Sequence, residues 1–312
     1  MTAVVTFTPN PAIDVSTSVD RILPVRKLRC SVQRRDPGGG GINVARVLKR
    51  LGGDAAAVYP IGGSIGELLR RLVEREGIPS YIVNIAEETR EDFSVTERNS
   101  GQQYRFVLPG PAFTEMEWRA CLDLLVSLEP YPRFLVASGS LPPGVPDDFY
   151  ARVSRIAKRW GAKMILDTSG APLAAAIEEG VHLIKPNLRE LSELVGAPLT
   201  DPATWEEASR RLVTAGRVEV VALSLGHRGA LLVTRDQRLR ARPIPITPMS
   251  AVGAGDSFLG AMIWRLAAGH DLNDAFRHGV AGGAAALLNP GTELCLPEDV
   301  ARLAAQVIIE PA

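Results

Sequence analysis

The chain has few of the residues that staple, ligate or anchor a protein. Its three cysteines, Cys30, Cys121 and Cys295, stand far apart with no C-x-x-C spacing. Such thiols are expected to be buried and reduced, which excludes a disulfide framework or a zinc ribbon. The four histidines, His182, His227, His270 and His278, show no metal-ligand spacing and read as structural or solvated. Aromatic residues are 5% of the sequence and form no stacking pattern, so the tryptophans and methionines are assigned to the core. No apolar run approaches the ~20 residues of a spanning helix. The start, "MTAVVTFTPN", lacks the basic and apolar regions of a secretion signal. Net charge is missing too, since 35 Lys and Arg balance 35 Asp and Glu. That balance argues against nucleic acid or an anionic membrane as the partner. The expectation is a soluble, cytoplasmic protein.

What is present is apolar and periodic. Hydrophobic residues make up 46% of 312, enough for a sizeable core. Short runs at 3–7, 55–59, 134–137, 163–166, 181–184 and 218–223 alternate with amphipathic segments such as "GINVARVLKRLGG" and "DDFYARVSRIAKRWG". "TEMEWRACLDLLVSLE" opens with Thr114 and Glu117 in capping-box spacing. The pattern predicts an α/β fold: a doubly wound, mainly parallel sheet with helices on both faces. Two stretches, about 12–35 and 86–108, break the alternation with strand-like texture and no helix. They read as a small β-sheet lid, with a hairpin around Asn99–Gly101. No linker or repeat divides the chain, so 1–312 reads as one domain carrying that lid.

In such sheets ligands sit beyond the carboxyl ends of the strands, where this chain has polar or glycine-rich turns. "SAVGAGDSFLGA", at 250–261, sets Gly253, Ala254, Gly255 and Asp256 at a helix start. This is either a capped loop or an anion hole of free amides. "DPGGGGINVAR", at 36–46, also leads into a helix. Four glycines, Gly39 and Gly40 among them, imply a close backbone approach to something, where a mere turn would need only one or two. Asn43 is either a helix-start residue or a donor to a sugar hydroxyl. "NLRE" is a near capping box between Asn187 and Glu190, or something more. Asp14 is either a turn residue or an acceptor for hydroxyls. There is no Walker A sequence and no G-x-G-x-x-G after the first strand.

Together these pieces resemble the PfkB (ribokinase-like) carbohydrate kinase family. "PGGGGINVAR" and "AVGAGDSFLGA" match its two signature regions. "TPNPAID" at 8–14, "KLRC" at 27–30, "GQQYRFVLPG" at 101–110, "SGSLPPGV" at 138–145, "KPNLREL" at 185–191 and "SLGHRGAL" at 224–231 follow in family order. The resemblance implies a ribokinase-like fold, ATP and Mg²⁺. Within the family it is nearest the branch that phosphorylates O1 of fructose 6-phosphate. It implies Asp256 as base and the amides of Gly253, Ala254 and Gly255 as donors to the moving phosphoryl group. Glu190 would organise Mg²⁺ through water. Lys185, Asn187, Ser224, Gly226 and Gly229 would meet the nucleotide. Asp14, Asn43 and Gly139, or a serine beside it, would meet the sugar, with Arg90, Arg105 and Lys27 on its phosphate.

The rivals in the family act on fructose 1-phosphate or tagatose 6-phosphate. They often carry a lysine inside the glycine cluster, where this chain has only glycines at 38–41. A silent sugar-phosphate-binding protein is the reading from another class, and the joint presence of Asp256, the glycine loop and Glu190 argues against it. Ser250, Val252, Ala286, Asn289 and Gly291 resemble a loop for K⁺ built from backbone carbonyls. Glu293 departs from that pattern, because a basic residue is usual there. A homodimer through the lid completes the expectations.

Overall fold

The computed structural model describes residues 3–31 and 33–312. The first half runs β1 (Val4–Phe7), β2 (Ala12–Val19), β3 (Arg34–Gly38), α1 (Gly40–Arg50), β4 (Ala55–Ile61), α2 (Gly63–Arg75), β5 (Ser80–Asn84), β6 (Arg90–Glu97), β7 (Gln103–Phe106) and α3 (Glu115–Val126). The middle continues β8 (Phe134–Ser138), α4 (Phe149–Trp160), β9 (Lys163–Asp167), α5 (Gly170–Glu179), β10 (Val181–Ile184), α6 (Leu188–Val195), α7 (Pro202–Thr214) and β11 (Val218–Ser224). The chain closes with β12 (Ala230–Val233), β13 (Arg238–Ala241), α8 (Ala254–Ala267), α9 (Leu272–Ala286), α10 (Pro297–Ala304) and β14 (Ile309–Pro311).

Ten strands form one sheet in the order β14-β13-β12-β11-β10-β9-β8-β1-β4-β5. From β11 to β5 every pairing is parallel. β1 shows why. All four of its residues are buried, with Val4 in one core and Val5 and Phe7 in the other. Successive side chains point to opposite faces, so a strand covered on both is buried throughout and mostly apolar, Thr6 being its one polar residue. Burying each such side chain contributes about 1.5–3 kcal/mol. The expected doubly wound α/β sheet is the observed one. β12, β13 and β14 join antiparallel at one edge, an addition the apolar pattern did not separate.

The lid is a second sheet, β3-β2-β6-β7. Pairing aligns Asp14 with Asp36 and Asp92, and Ser94 with Arg105. Since side chains alternate, these residues share one polar face of the lid. The opposite face carries Phe93, Tyr104 and Phe106, all exposed.

Two smaller expectations need correction. Cys30 lies exposed on the loop between β2 and β3, while Cys121 and Cys295 are buried. Met116, in the first turn of α3, and Met249, on the loop between β13 and α8, are exposed rather than core. Among the described residues no helix is long and apolar enough to cross a membrane.

Candidate active site

Two helix starts and the strand ends of the main sheet converge on Asp256. α8 begins from Gly253, whose φ of 74° is left-handed and whose side chain can cap nothing. The first amides of α8 therefore have no side-chain partner, and their dipole favours negative charge. Asp256 lies in that first turn. Its Oδ2 accepts a 2.9 Å hydrogen bond from Asn43 Nδ2, on the first turn of α1. Burial pushes the Asp256 carboxyl above its ordinary range, opposed by the Asn43 bond and by Lys185, Arg105 and Arg46.

The glycine cluster is explained by contact. A Cβ at Gly40 would lie 2.1 Å from Ser138 Oγ, and one at Gly38 would lie 2.4 Å from Asp14 Oδ2. Only glycine lets α1 enter this close to β2 and the end of β8. Asp14 is buried, and burial together with nearby Asp92 raises its pKa to about 7, against the pull of Arg105. At the end of β8 the Gly139 carbonyl accepts from Tyr150 Oη at 2.8 Å and Thr168 Oγ1 at 2.9 Å. Its own amide donates to the Asp167 carbonyl at 3.0 Å.

Lys185, after β10, is buried with its ammonium 3.2 Å from Asp167 Oδ1. Burial lowers its pKa, but Asp167, Asp256 and Glu190 outweigh that and hold it above the usual lysine range. Asn187 and Glu190 form a complete capping box for α6, each side chain accepting the other's backbone N–H at 2.9 Å. One Glu190 oxygen serves the cap. Ser224 bridges to Asn187 and donates its amide to the Pro186 carbonyl at 3.0 Å. Gly226 and Gly229 bound the short turn that follows.

The lid arginines divide. Arg105 is largely exposed on the polar face, and its charge acts on Asp14, Asp256 and Arg90. Arg90 uses Nη1 on the Leu108 carbonyl and Nη2 on the Asn10 carbonyl at 3.0 Å, leaving a buried Nε without a protein partner among the described residues. Arg90 therefore braces the turn after β1 as well as facing the site. Lys27 is exposed on the β2–β3 loop, and among the described residues no hydrogen bond joins it to the other site residues.

Ser250 donates to the Gly291 carbonyl at 2.7 Å and accepts from the Val252 amide at 3.2 Å. Asn289 donates its amide N–H to the Ala286 carbonyl, at the end of α9, at 3.2 Å. Glu293 turns away from this loop and pairs with Arg34 of β3 at 3.1 Å. No group of three or more His, Cys, Asp or Glu side chains suited to a metal occurs among the described residues. The sequence reading left out Asp167, which meets Lys185, and Asp92, beside Asp14. A charged residue closing a buried strand was the available signal for Asp167.

A half-buried carboxylate at open helix amides, flanked by an ammonium, can take a proton while neighbouring N–H groups hold phosphoryl charge. On a doubly wound sheet with a lid, that combination defines a small-molecule kinase. The chain belongs to the pfkB family of carbohydrate kinases, whose model matches residues 8–299. Its fold is ribokinase-like. It is 48% identical to the ATP-dependent 6-phosphofructokinase isozyme 2 of Mycobacterium tuberculosis over 96% of this chain and 88% of that one. The crystal structure of Escherichia coli phosphofructokinase-2 in complex with substrates and products superposes with a TM-score of 0.93. It is 41% identical and covers 97% of this chain and 98% of its own. The potassium complex of that E. coli enzyme gives 0.94 at 41% identity, over 98% and 99%.

Proposed function

We propose that the protein is an ATP-dependent 6-phosphofructokinase, transferring the γ-phosphoryl group of ATP to O1 of fructose 6-phosphate to give fructose 1,6-bisphosphate. The observation that carries this is the Asn43–Asp256 pair at the open start of α8. Asp256 takes the proton of the O1 hydroxyl as O1 bonds to the γ-phosphorus. The bridging oxygen leaves with ADP. The amides of Gly253, Ala254 and Gly255 receive the phosphoryl oxygens, and Lys185 offsets charge on the nucleotide side. Asn187, Ser224, Gly226 and Gly229 line that nucleotide side. Asp14, Gly39, Gly40, Asn43 and Gly139 face the sugar, and Arg105, Arg90 and Lys27 its 6-phosphate.

The residues present fit Mg²⁺, because Glu190 acts electrostatically on Lys185 and keeps a carboxylate oxygen beyond its cap. When bound, the ion neutralises phosphate charge. Carbonyl and hydroxyl oxygens around Ser250, Val252, Ala286, Asn289 and Gly291 suit K⁺, and the similar E. coli phosphofructokinase-2 forms a complex with potassium. Equal rates in potassium and tetramethylammonium salts would remove that site. We read the chain as a single kinase domain whose uncovered apolar lid face pairs in a homodimer. Light scattering showing a monomer across micromolar concentrations would contradict this.

ADP release coupled to a reporter, with fructose 6-phosphate, fructose 1-phosphate and tagatose 6-phosphate compared, tests the substrate. The highest kcat/KM is expected for fructose 6-phosphate. A higher value for another sugar phosphate reassigns the substrate, and no ADP release with any of the three returns the silent-binder reading.

A further inference from the structure

Among the described residues Arg46 is the largest fully buried side chain, with 0% exposure, and it takes no part in the reaction proposed above. It lies one helical turn from Asn43 on α1. Its Nη1 donates to Asn43 Oδ1 at 3.1 Å and to the Pro37 carbonyl at 2.9 Å. Its Nε and Nη2 donate to Glu76 Oε1 at 3.1 and 2.9 Å, and Nη2 lies 3.6 Å from Asp36 Oδ1. The relay then continues from Asn43 Nδ2 to Asp256 Oδ2.

The chemistry of the two ends dictates the middle. A guanidinium offers only donors and an ionised carboxylate only acceptors. An amide between them has one satisfactory orientation, oxygen toward Arg46 and nitrogen toward Asp256. The flipped amide would set two oxygens face to face at the carboxylate and two donors face to face at the arginine. Glu76 and the Pro37 carbonyl hold the guanidinium plane, so the amide plane and the bound carboxylate oxygen are held as well.

We propose that Arg46 is a positioning residue for phosphoryl transfer, fixing the Asn43 amide so that it donates to Asp256 and leaves the other carboxylate oxygen for the acceptor hydroxyl. The inference rests on the reading of Asp256 as base. It gives the buried arginine a role that a stability pair with Glu76 alone would not require. Lysine could keep the charge but not the fork, because a single ammonium cannot bond Glu76, Pro37 and Asn43 in one plane.

The test is a double-mutant cycle on the purified enzyme with ATP and fructose 6-phosphate. Arg46→Lys is expected to lower kcat about 10–100-fold, the scale of a sub-ångström misplacement of a catalytic group. KM for ATP should stay near the wild-type value. In an Asn43→Ala background the same substitution should cost nothing further in kcat, because the relay is already cut. The acidic limb of the kcat profile should move to higher pH in Arg46→Lys, since a loosened N–H donor stabilises the carboxylate less. The charged or polar groups facing Asp256 there are Asn43 and Arg46 of α1, Lys185, Asp167 of β9, Asp14 of β2 and Arg105 of β7. If Arg46→Lys does not fold, Arg46→Met with Glu76→Gln removes both charges of the closest pair and must show the same kcat loss.

Unchanged kcat with a lower melting temperature overturns the proposal, as do equal losses in both backgrounds of the cycle. Asp256→Asn, measured alongside, separates the two ideas. If Asp256→Asn is inactive and Arg46→Lys is normal, only the Arg46 role falls. If Asp256→Asn turns over normally, the base reading falls and takes the relay with it.

Discussion

The rim of the main sheet and the lid are built on opposite terms. At the rim, Asn43, Arg46 and Lys185 are buried with defined partners, and Asp256 meets Asn43 beneath helices packed on helices. The lid is a four-stranded sheet with a polar face toward the cleft and an apolar face that exposes Phe93, Tyr104 and Phe106. Burial strengthens every interaction among charges and shifts their proton affinities, which suits groups that must move a proton. Partial exposure keeps a guanidinium charged and free to reach a phosphate, which suits recognition. On the proposed function, the molecule divides chemistry from selection by depth.

The sharpest way to break this division is Asp256→Asn. It should lower kcat by about 10²–10⁴, the contribution of a positioned base, with little change in fold. Steady-state turnover of the purified variant decides it, and near-normal kcat would show that the buried rim is not where the proton moves. Arg105→Ala tests the lid. Losing a charge-assisted contact of roughly 1.5–3 kcal/mol should raise KM for fructose 6-phosphate about 10–150-fold, with ATP affinity barely changed. Plain fructose should be a poor substrate for the wild type and suffer no further. Equal losses toward both sugars would make Arg105 a fold residue, and the contrast would collapse.

Glu190→Gln should raise the Mg²⁺ concentration needed for activity by several-fold while leaving sugar-phosphate binding nearly intact. Glutamine can still accept the Asn187 amide, so the cap survives. A variant that melts earlier but keeps the wild-type Mg²⁺ dependence would leave the capping box as its whole role.

A further effect is one of stability, and it concerns Asp14 on the lid's inner face. Its folded pKa of about 7 lies above the ordinary carboxyl value of 3.8. Between those values the folded chain holds a proton the unfolded chain has released. Raising the pH therefore costs stability across that window, and the cost is complete above about pH 7. Asp14→Asn carries no such penalty, so its melting temperature should gain on the wild type from pH 4 to 7 and then level off. A constant difference in thermal melts across that range would show that Asp14 is solvated and the lid's polar face open.

Much of the fold was legible because burial on both faces writes itself into composition. Runs such as 134–137, apolar at every position, and 163–166, apolar after Lys163, had to be so to sit in the middle of the sheet. The Thr114 cap was readable because it is local, a matter of residues three apart. The antiparallel edge of β12, β13 and β14 was not, since edge strands with polar outer residues carry a weaker pattern.

The site followed the same rule. Local spacing determined that Gly253 to Asp256 open a helix and that Asn187 and Glu190 form a cap. Order along the chain, through resemblance, gathered the remaining motifs. Tertiary structure alone decided which of them touch: that Asn43 donates to Asp256 across 213 positions, that Asp167 holds Lys185, and that Glu293 turns to Arg34. It also decided that Arg90 braces backbone carbonyls while Arg105 stays open. Hydrogen bonds between distant segments leave no period in a sequence. A buried arginine and an exposed one look alike until the chain is folded.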